Sequence, residues 1–224
     1  MDRDASDKTI FFVDFDGTAV EQIASNRLLN EFVEDDWQRL DEQLMRDEIS
    51  FYDCVRTQFN MLAGQSRQSM SAFARATIDL RPGFAAFVAH CEREGHEIHI
   101  VSEALDFLIR AVLERDGLGH LPVYGDRGVF DEDDRFLRIE FPYRQPDCVC
   151  ELGNCKDGHV RTHRDGYETT VFIGDGKNDF LAAQEADRVF ARRTLAELYG
   201  AAGLTYDPFD TFHDVLRALL RTPA

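Results

Sequence analysis

The sequence has little lysine and no long apolar run. Only three of its 25 basic residues are lysine, and 42 acidic residues leave a formal net charge of −17. Proteins bind nucleic acid through basic patches that displace counterions from the phosphates, so we expect no nucleic-acid partner. No apolar stretch approaches the roughly 20 residues that a membrane-spanning helix needs, so we expect no membrane partner either.

Cysteine is also scarce, and its number is odd. Five cysteines in a chain of 224 residues fit a reducing compartment better than a disulfide scaffold. The first ten residues are charged and polar, so no secretory signal is expected there. These features predict a cytoplasmic protein, and they leave its oligomeric state open.

Three short apolar runs each end in a polar residue, which predicts strands of one sheet. The runs cover residues 9–13, 97–101 and 169–173, and their polar ends are Asp14, Ser102 and, after one glycine, Asp175. Helical patterns alternate with these runs, which is typical of an α/β fold with a doubly wound, Rossmann-like parallel sheet. Such sheets bind ligands at the carboxyl ends of their strands, so the three polar ends are predicted to share one cleft.

Residues 21–80 interrupt this alternation. Apolar residues recur there every three or four positions without a strand-like run, which predicts about four helices inserted after the first strand. We therefore predict a catalytic core made of residues 1–20 and 81–224. The inserted residues 21–80 are predicted to form a helical cap subdomain over the cleft.

Two acidic motifs follow predicted strands. Asp14–Thr18 reads DFDGT, and Gly174–Asp179 reads GDGKND. Carboxylates from two strand ends predict a hard oxygen site suited to Mg²⁺, which takes a few carboxylates and keeps phosphate or water as further ligands. A calcium loop of the EF-hand kind is excluded for the first motif, because its twelfth position holds Ser25 instead of glutamate.

With these motifs the sequence resembles the haloacid dehalogenase superfamily, in the phosphatase branch that carries a helical cap after the first strand. The four motifs of the superfamily occur in order: DFDGT, a strand ending in the hydroxyl of Ser102, a lysine at Lys156, and GDGKND. The resemblance implies a phosphatase that hydrolyses a small phosphorylated metabolite through an aspartyl phosphate. It also implies Mg²⁺ as the cofactor.

The resemblance implies the catalytic and metal-binding roles as well. Asp14 would be the nucleophile, Asp16 the general acid and base, and Lys156 the positive charge beside the phosphate. Asp14, the backbone carbonyl of Asp16, and Asp175 would hold Mg²⁺. Lys177 competes with Lys156 for the role of the cation, but it occupies a variable position of the fourth motif.

Further residues are expected around the phosphate by the same resemblance. Thr18, Ser102 and Asn178 would donate hydrogen bonds to it, and Asp179 would orient the metal-bound water or the lysine. In the cap, Arg56 is a candidate anion-binding group. An arginine on a solvated helix face explains Arg56 equally well.

Two subgroups of the superfamily compete. Phosphoserine phosphatases use a cap glutamate to bind the substrate ammonium, at a position where an ungapped count finds Ile23. Phosphatases of methionine salvage carry a cysteine-rich stretch just before the lysine, as this chain does, and we favour that subgroup. A phosphotransferase and a phosphate-binding regulatory protein without turnover are the other functions considered.

The cysteine-rich stretch itself predicts a second metal site. Cys148, Cys150 and Cys155 lie within eight residues, and soft thiolates favour Zn²⁺. His159 or His163 would supply a fourth ligand. The alternative is that these cysteines are buried and bind no metal, since their spacing is not that of a standard zinc finger.

Overall fold

The computed structural model describes residues 8–145, 147–148 and 152–221. The strands are β1 (Thr9–Val13), β2 (Glu97–Leu105), β3 (Val123–Phe130), β4 (Phe136–Glu140), β5 (Thr169–Gly174), β6 (Arg188–Ala191) and β7 (Asp207–Pro208). The helices are α1 (Ala24–Phe32), α2 (Gln38–Met45), α3 (Phe51–Asn60), α4 (Arg67–Thr77), α5 (Phe84–Glu94), α6 (Asp106–Arg115), α7 (Lys156–His163), α8 (Phe180–Gln184), α9 (Arg193–Ala201) and α10 (Phe212–Arg221). Within the described residues, none of these helices has the length and apolar character needed to cross a membrane.

The strands form one seven-stranded sheet in the order β4-β3-β2-β1-β5-β6-β7. β1 lies between β2 and β5, and Val13 pairs in parallel register with Ile100 on one side and Ile173 on the other. β6 and β7 continue the parallel part of the sheet. The predicted α/β fold with a largely parallel sheet is therefore confirmed.

β4, which forms a hairpin with β3, was not among the predicted strands. The two strands pair in antiparallel fashion, with Gly128 opposite Ile139. β4 buries Phe136 and Ile139, and the two residues between them are exposed. It therefore lacks the continuous apolar run that marks a strand covered on both faces.

The chain divides into two compact units. Within the described residues, the first unit comprises 8–21, 80–101 and 156–221, and the second comprises Gln22–Asp79 with the described part of Ser102–Cys155. Helices α1 to α4 occupy most of Gln22–Asp79, and the hairpin and α6 belong to the same unit. The division into a core and a cap of residues 21–80 alone stays a prediction.

Phenylalanines form much of the core of the first unit. Phe87 of α5 contacts Phe11 of β1 edge to face, with ring centroids 5.1 Å apart, and Phe212 of α10 at the same centroid distance. Phe84 packs against Phe212 at 4.8 Å. Edge-to-face pairs of buried rings stabilise a core beyond the area they bury, so these contacts hold α5 and α10 on the strand that leads into the first acidic motif.

Candidate active site

The first acidic motif begins where β1 ends. The backbone N–H of Asp14 donates to the carbonyl of Ile173 at 3.0 Å, which ties the residue to β5. The side chain of Asp14 is buried, with 4% of the residue exposed. β1 therefore leads into the predicted nucleophile, and a backbone hydrogen bond to β5 holds it in place.

The turn after Asp14 brings the two acidic motifs together. Gly17 has a φ of +76°, and a Cβ at that position would lie 2.5 Å from Oδ2 of Asp175. Thr18 donates from Oγ1 to Oδ1 of Asp175 at 3.2 Å. A glycine is needed here for both reasons, the left-handed backbone and the close approach of a carboxylate.

A buried lysine links the carboxylates of the site. Nζ of Lys156, the first residue of α7, donates to Oδ1 of Asp14 at 2.7 Å and to Oδ1 of Asp179 at 2.8 Å. Lys156 is 2% exposed, whereas Lys177 is exposed. The geometry thus gives the contact with the predicted nucleophile to Lys156.

Asp179 also organises the second acidic turn. Its Oδ2 accepts hydrogen bonds from the backbone N–H groups of Asp175 and Gly176, both at 3.0 Å. Its Oδ1 accepts the bond from Lys156. Asp179 therefore holds both the turn that presents Asp175 and the lysine that contacts Asp14.

Burial and mutual repulsion perturb two carboxyl groups of the site. Burial raises the pKa of Asp14 well above its usual range, and the nearby carboxylates of Asp179 and Asp175 raise it further, although Lys156 opposes them. Burial and Asp179 also raise the pKa of Asp175, while Arg193 lowers it. A cation bound beside these carboxylates would favour their ionised forms.

The acidic cluster fits a metal ion. Asp14, Asp175 and Asp179 each offer a carboxylate oxygen, and these oxygens lie within 4.8 Å of one another. Carboxylates are hard oxygen ligands, which divalent cations such as Mg²⁺ and Ca²⁺ prefer. A divalent cation would also favour the ionised forms of Asp14 and Asp175, whose pKa values burial raises.

Comparison with known proteins agrees with this geometry. Residues 11–184 match the haloacid dehalogenase-like hydrolase family. The chain belongs to this family. Relatives named 2-hydroxy-3-keto-5-methylthiopentenyl-1-phosphate phosphatase support the assignment. The one from Brevibacillus brevis is 33% identical over 215 residues, covering 96% of each chain. The one from Geobacillus kaustophilus is 33% identical over 215 residues, covering 95% of this chain and 96% of its own.

Solved structures share the fold of this haloacid dehalogenase-like hydrolase. A phosphoserine phosphatase, solved as an analogue of its phospho-aspartyl intermediate, superimposes with a TM-score of 0.72 and 18% identity, covering 95% of this chain and 99% of that one. A haloacid dehalogenase family hydrolase from Salmonella enterica serovar Typhi gives a TM-score of 0.77 and 16% identity, covering 98% and 73%. Together with the relatives, these findings confirm the predicted family and the predicted enzyme class, a phosphatase.

The remaining predicted phosphate-binding residues of this hydrolase differ in burial and in hydrogen-bond partners. Ser102 is buried in β2, and its Oγ accepts a hydrogen bond from the N–H of Ala104 at 3.2 Å. Arg56 lies on α3 in an exposed ion pair with Asp53 at 2.8 Å. Asn178 is half-buried in the short turn Lys177–Asp179. The predicted roles of these residues stay predictions.

Zinc at the cysteine-rich stretch is not supported, although the thiols of Cys148 and Cys155 lie close together in the described part of the chain. Cys150 lies outside the described residues, and the thiol of Cys155 is 3.3 Å from that of Cys148 as a hydrogen-bond donor. The predicted fourth ligands are engaged elsewhere: the rings of His159 and His163 stack with centroids 6.1 Å apart, and His163 packs against His99 at 5.0 Å.

Three arginines near the acidic motifs were missed. Arg193, with a φ of +47°, places Nη1 3.3 Å from Oδ2 of Asp175. Arg81 and Arg192 both donate to the carbonyl of Gly17. Each of these arginines is far in sequence from Gly17, so no local motif marks it as part of the site.

Proposed function

We propose that the chain is a Mg²⁺-dependent phosphatase that hydrolyses a small phosphorylated metabolite through an aspartyl phosphate on Asp14. The observation that carries this proposal is the buried contact of Lys156 with both Asp14 and Asp179. A nucleophilic carboxylate beside a cation can approach the negatively charged phosphoryl group, which an isolated carboxylate would repel.

The chain offers a binding set for the metal. Asp14, Asp175 and the backbone carbonyl of Asp16 are the proposed ligands, and the acidic cluster supports two of them. Asp179 is better placed to orient the site, because its two oxygens already accept three hydrogen bonds. When bound, Mg²⁺ supplies positive charge that neutralises phosphoryl oxygens and keeps the carboxylates ionised.

The first half of the reaction is assigned to Asp14 and Asp16. Lys156 holds Oδ1 of Asp14, so we assign Oδ2 as the atom that attacks phosphorus. A bond forms between this oxygen and phosphorus while the bond from phosphorus to the leaving oxygen breaks. Asp16 gives its proton to the leaving oxygen, which departs as an alcohol.

The second half regenerates the enzyme. Asp16, now ionised, takes a proton from a water molecule as the water oxygen attacks phosphorus. The bond between phosphorus and Oδ2 of Asp14 breaks, and inorganic phosphate leaves. Ser102 and Asn178 are proposed to donate hydrogen bonds to the phosphoryl oxygens during both halves. Thr18 is proposed to join them by turning its hydroxyl proton from Asp175 to the phosphate, and Arg56 is a proposed anion-binding group of the cap.

The substrate we favour is 2-hydroxy-3-keto-5-methylthiopentenyl-1-phosphate. The names of the relatives that match nearly the whole chain support this choice. Phosphoserine is the second candidate, because solved phosphoserine phosphatases share the fold. We expect it to be the poorer substrate, since Ile23 offers no carboxylate to its ammonium group.

The net charge of −17 disfavours polynucleotide substrates, and the odd number of cysteines supports the cytoplasm as the proposed location.

Asp14→Asn tests the mechanism. The carboxamide cannot act as the nucleophile, so we expect hydrolysis of p-nitrophenyl phosphate with Mg²⁺ to fall by about three orders of magnitude or more. The circular dichroism spectrum should stay that of the wild type. The matched control is Asp133→Asn, which changes an exposed carboxylate in the turn between β3 and β4 and should leave hydrolysis unchanged.

Two outcomes would contradict the proposal. Near-normal hydrolysis by the Asp14→Asn variant would show that Asp14 is not the nucleophile. Full wild-type activity after chelation by EDTA would exclude the Mg²⁺ requirement.

Two further measurements decide between the remaining alternatives. Comparing kcat/KM for 2-hydroxy-3-keto-5-methylthiopentenyl-1-phosphate and for phosphoserine decides between the two substrates. A phosphotransferase would be revealed if an added alcohol acceptor takes the phosphoryl group in preference to water.

A further inference from the structure

A buried arginine binds the loop that follows the nucleophile. Arg81 is 5% exposed. Its Nε donates to the carbonyl of Thr18 at 2.8 Å, and its Nη2 donates to those of Gly17 at 2.7 Å and Val20 at 3.2 Å. Its Nη1 donates to the carbonyl of Asp210 at 3.1 Å. One guanidinium group thus binds three carbonyls of the same short loop, residues 17–20, and we call this set of contacts the clamp.

A second arginine reinforces the same point of the loop. Nη1 of Arg192 donates to the carbonyl of Gly17 at 2.9 Å, so this oxygen accepts from two guanidinium groups. Burial lowers the pKa of Arg81, and the positive charge of Arg192 lowers it further. The carboxylates of Glu21 and Asp175 oppose this effect, so the two guanidinium groups can share one buried carbonyl.

The loop of residues 17–20, which the clamp holds, determines where Asp16 lies relative to Asp14. Asp16 has extended backbone angles (φ −68°, ψ 118°), and Gly17 follows with a left-handed φ of +76°. The N–H of Ala19 then returns to the carbonyl of Asp14 at 3.1 Å. Because Gly17 directly follows Asp16, movement of the clamped carbonyls of Gly17 and Thr18 would let the backbone of Asp16 shift, and its side chain with it.

We propose that Arg81, with Arg192 as the second donor, is a positioning residue that holds Asp16 in place for proton transfer to the leaving group. This inference rests on the proposed phosphatase function and deepens it. Neither arginine need touch the substrate. Loss of the clamp should therefore impair the step that needs a proton from Asp16 more than it impairs substrate binding.

Two substrates of similar shape separate these effects. p-Nitrophenol leaves readily as its anion, whereas phenol is a poorer leaving group that depends more on protonation by a general acid. Arg81→Lys keeps the charge but cannot reproduce the planar fork of donors. We expect kcat/KM for phenyl phosphate, which reports only the steps up to departure of the leaving group, to fall by about 100-fold, since a displacement of about 1 Å in a catalytic group has effects of this size. kcat/KM for p-nitrophenyl phosphate should fall much less, because its leaving group needs no proton.

Two further variants guard against a trivial loss of folding. Arg192→Ala removes the second donor from a half-buried position and should shift the ratio of the two kcat/KM values in the same direction, by a smaller factor. Arg115→Lys is the matched control, because Arg115 also donates to two backbone carbonyls, those of Arg75 and Ile78, both at 2.7 Å. The control should keep the wild-type ratio.

Amide hydrogen exchange of residues 15–20, followed by mass spectrometry without substrate, supplies a readout that needs no activity. We expect faster exchange in the Arg81→Lys variant than in the wild type, and unchanged exchange in this segment for Arg115→Lys. If exchange is unchanged, or if kcat/KM falls equally for both substrates, the positioning role is refuted. If the wild type hydrolyses neither substrate, the proposed function fails, and the exchange experiment alone then judges the clamp.

Discussion

The buried histidine of α7 makes a quantitative prediction about stability in acid. His159 is 7% exposed. Burial lowers its pKa from 6.5 to about 4, and the neighbouring His163 and His99 lower it as well, although Asp157 opposes them. The folded protein therefore keeps this imidazole neutral at pH values where the unfolded chain would bind a proton.

The sign of the effect follows from this difference. Above pH 6.5 the imidazole is neutral in both states, and its protonation does not affect folding. As the pH falls towards 4, the unfolded chain binds a proton that the folded chain does not, so the free energy of unfolding decreases. At about 1.4 kcal/mol per pKa unit, the loss reaches about 2 kcal/mol at pH 5 and about 3 kcal/mol at pH 4.

His159→Gln removes this proton-binding site. Urea denaturation followed by circular dichroism at pH 7.5 and at pH 5 gives the free energy of unfolding of each protein. Between these pH values we expect the variant to lose about 2 kcal/mol less stability than the wild type. The carboxylates of the active site titrate in both proteins, so their contribution cancels in the comparison.

An exposed histidine serves as the control. His120 lies on the surface between α6 and β3, and His120→Gln should follow the pH dependence of the wild type. If the wild type and His159→Gln lose stability in parallel between pH 7.5 and pH 5, the buried neutral state of His159 is refuted.

Two further substitutions test the acidic site. Lys156→Met should abolish hydrolysis and lower the free energy of unfolding by about 3–5 kcal/mol, because it leaves two buried carboxylates without their cation. Lys177→Met should keep the wild-type activity and stability. An active Lys156→Met enzyme would contradict the assignment of Lys156 as the cation of the site. Gly17→Ala places a Cβ 2.5 Å from Oδ2 of Asp175, so we expect the Mg²⁺ concentration for half-maximal activity to rise. Gly64→Ala has a similar φ of +84° and nothing within 4 Å. It should lose about 1–2 kcal/mol of stability with no change in Mg²⁺ dependence, and equal Mg²⁺ dependence in both variants would contradict the steric argument.

Local sequence determined the parallel part of the fold and the family. β1 and β5 are apolar runs buried on both faces, and each leads directly into an acidic motif whose spacing is contained within a few residues. Such signals survive in sequence because period and spacing are local properties. The hairpin of β3 and β4 was harder to predict, because its strands carry exposed charged residues. These residues weaken the apolar signal on which the prediction of strands depended.

Tertiary structure alone decided which distant groups meet those motifs. Sequence spacing favoured Lys156 over Lys177, but only the fold shows that Lys156 is buried in contact with Asp14 and Asp179. Arg81 and Arg192 are more than sixty and more than 170 residues from Gly17, and a solitary arginine carries no pattern that would reveal this convergence. Their placement depends on β1, α5 and β6 packing into one unit, because side chains far apart in the chain become neighbours only when the core has formed.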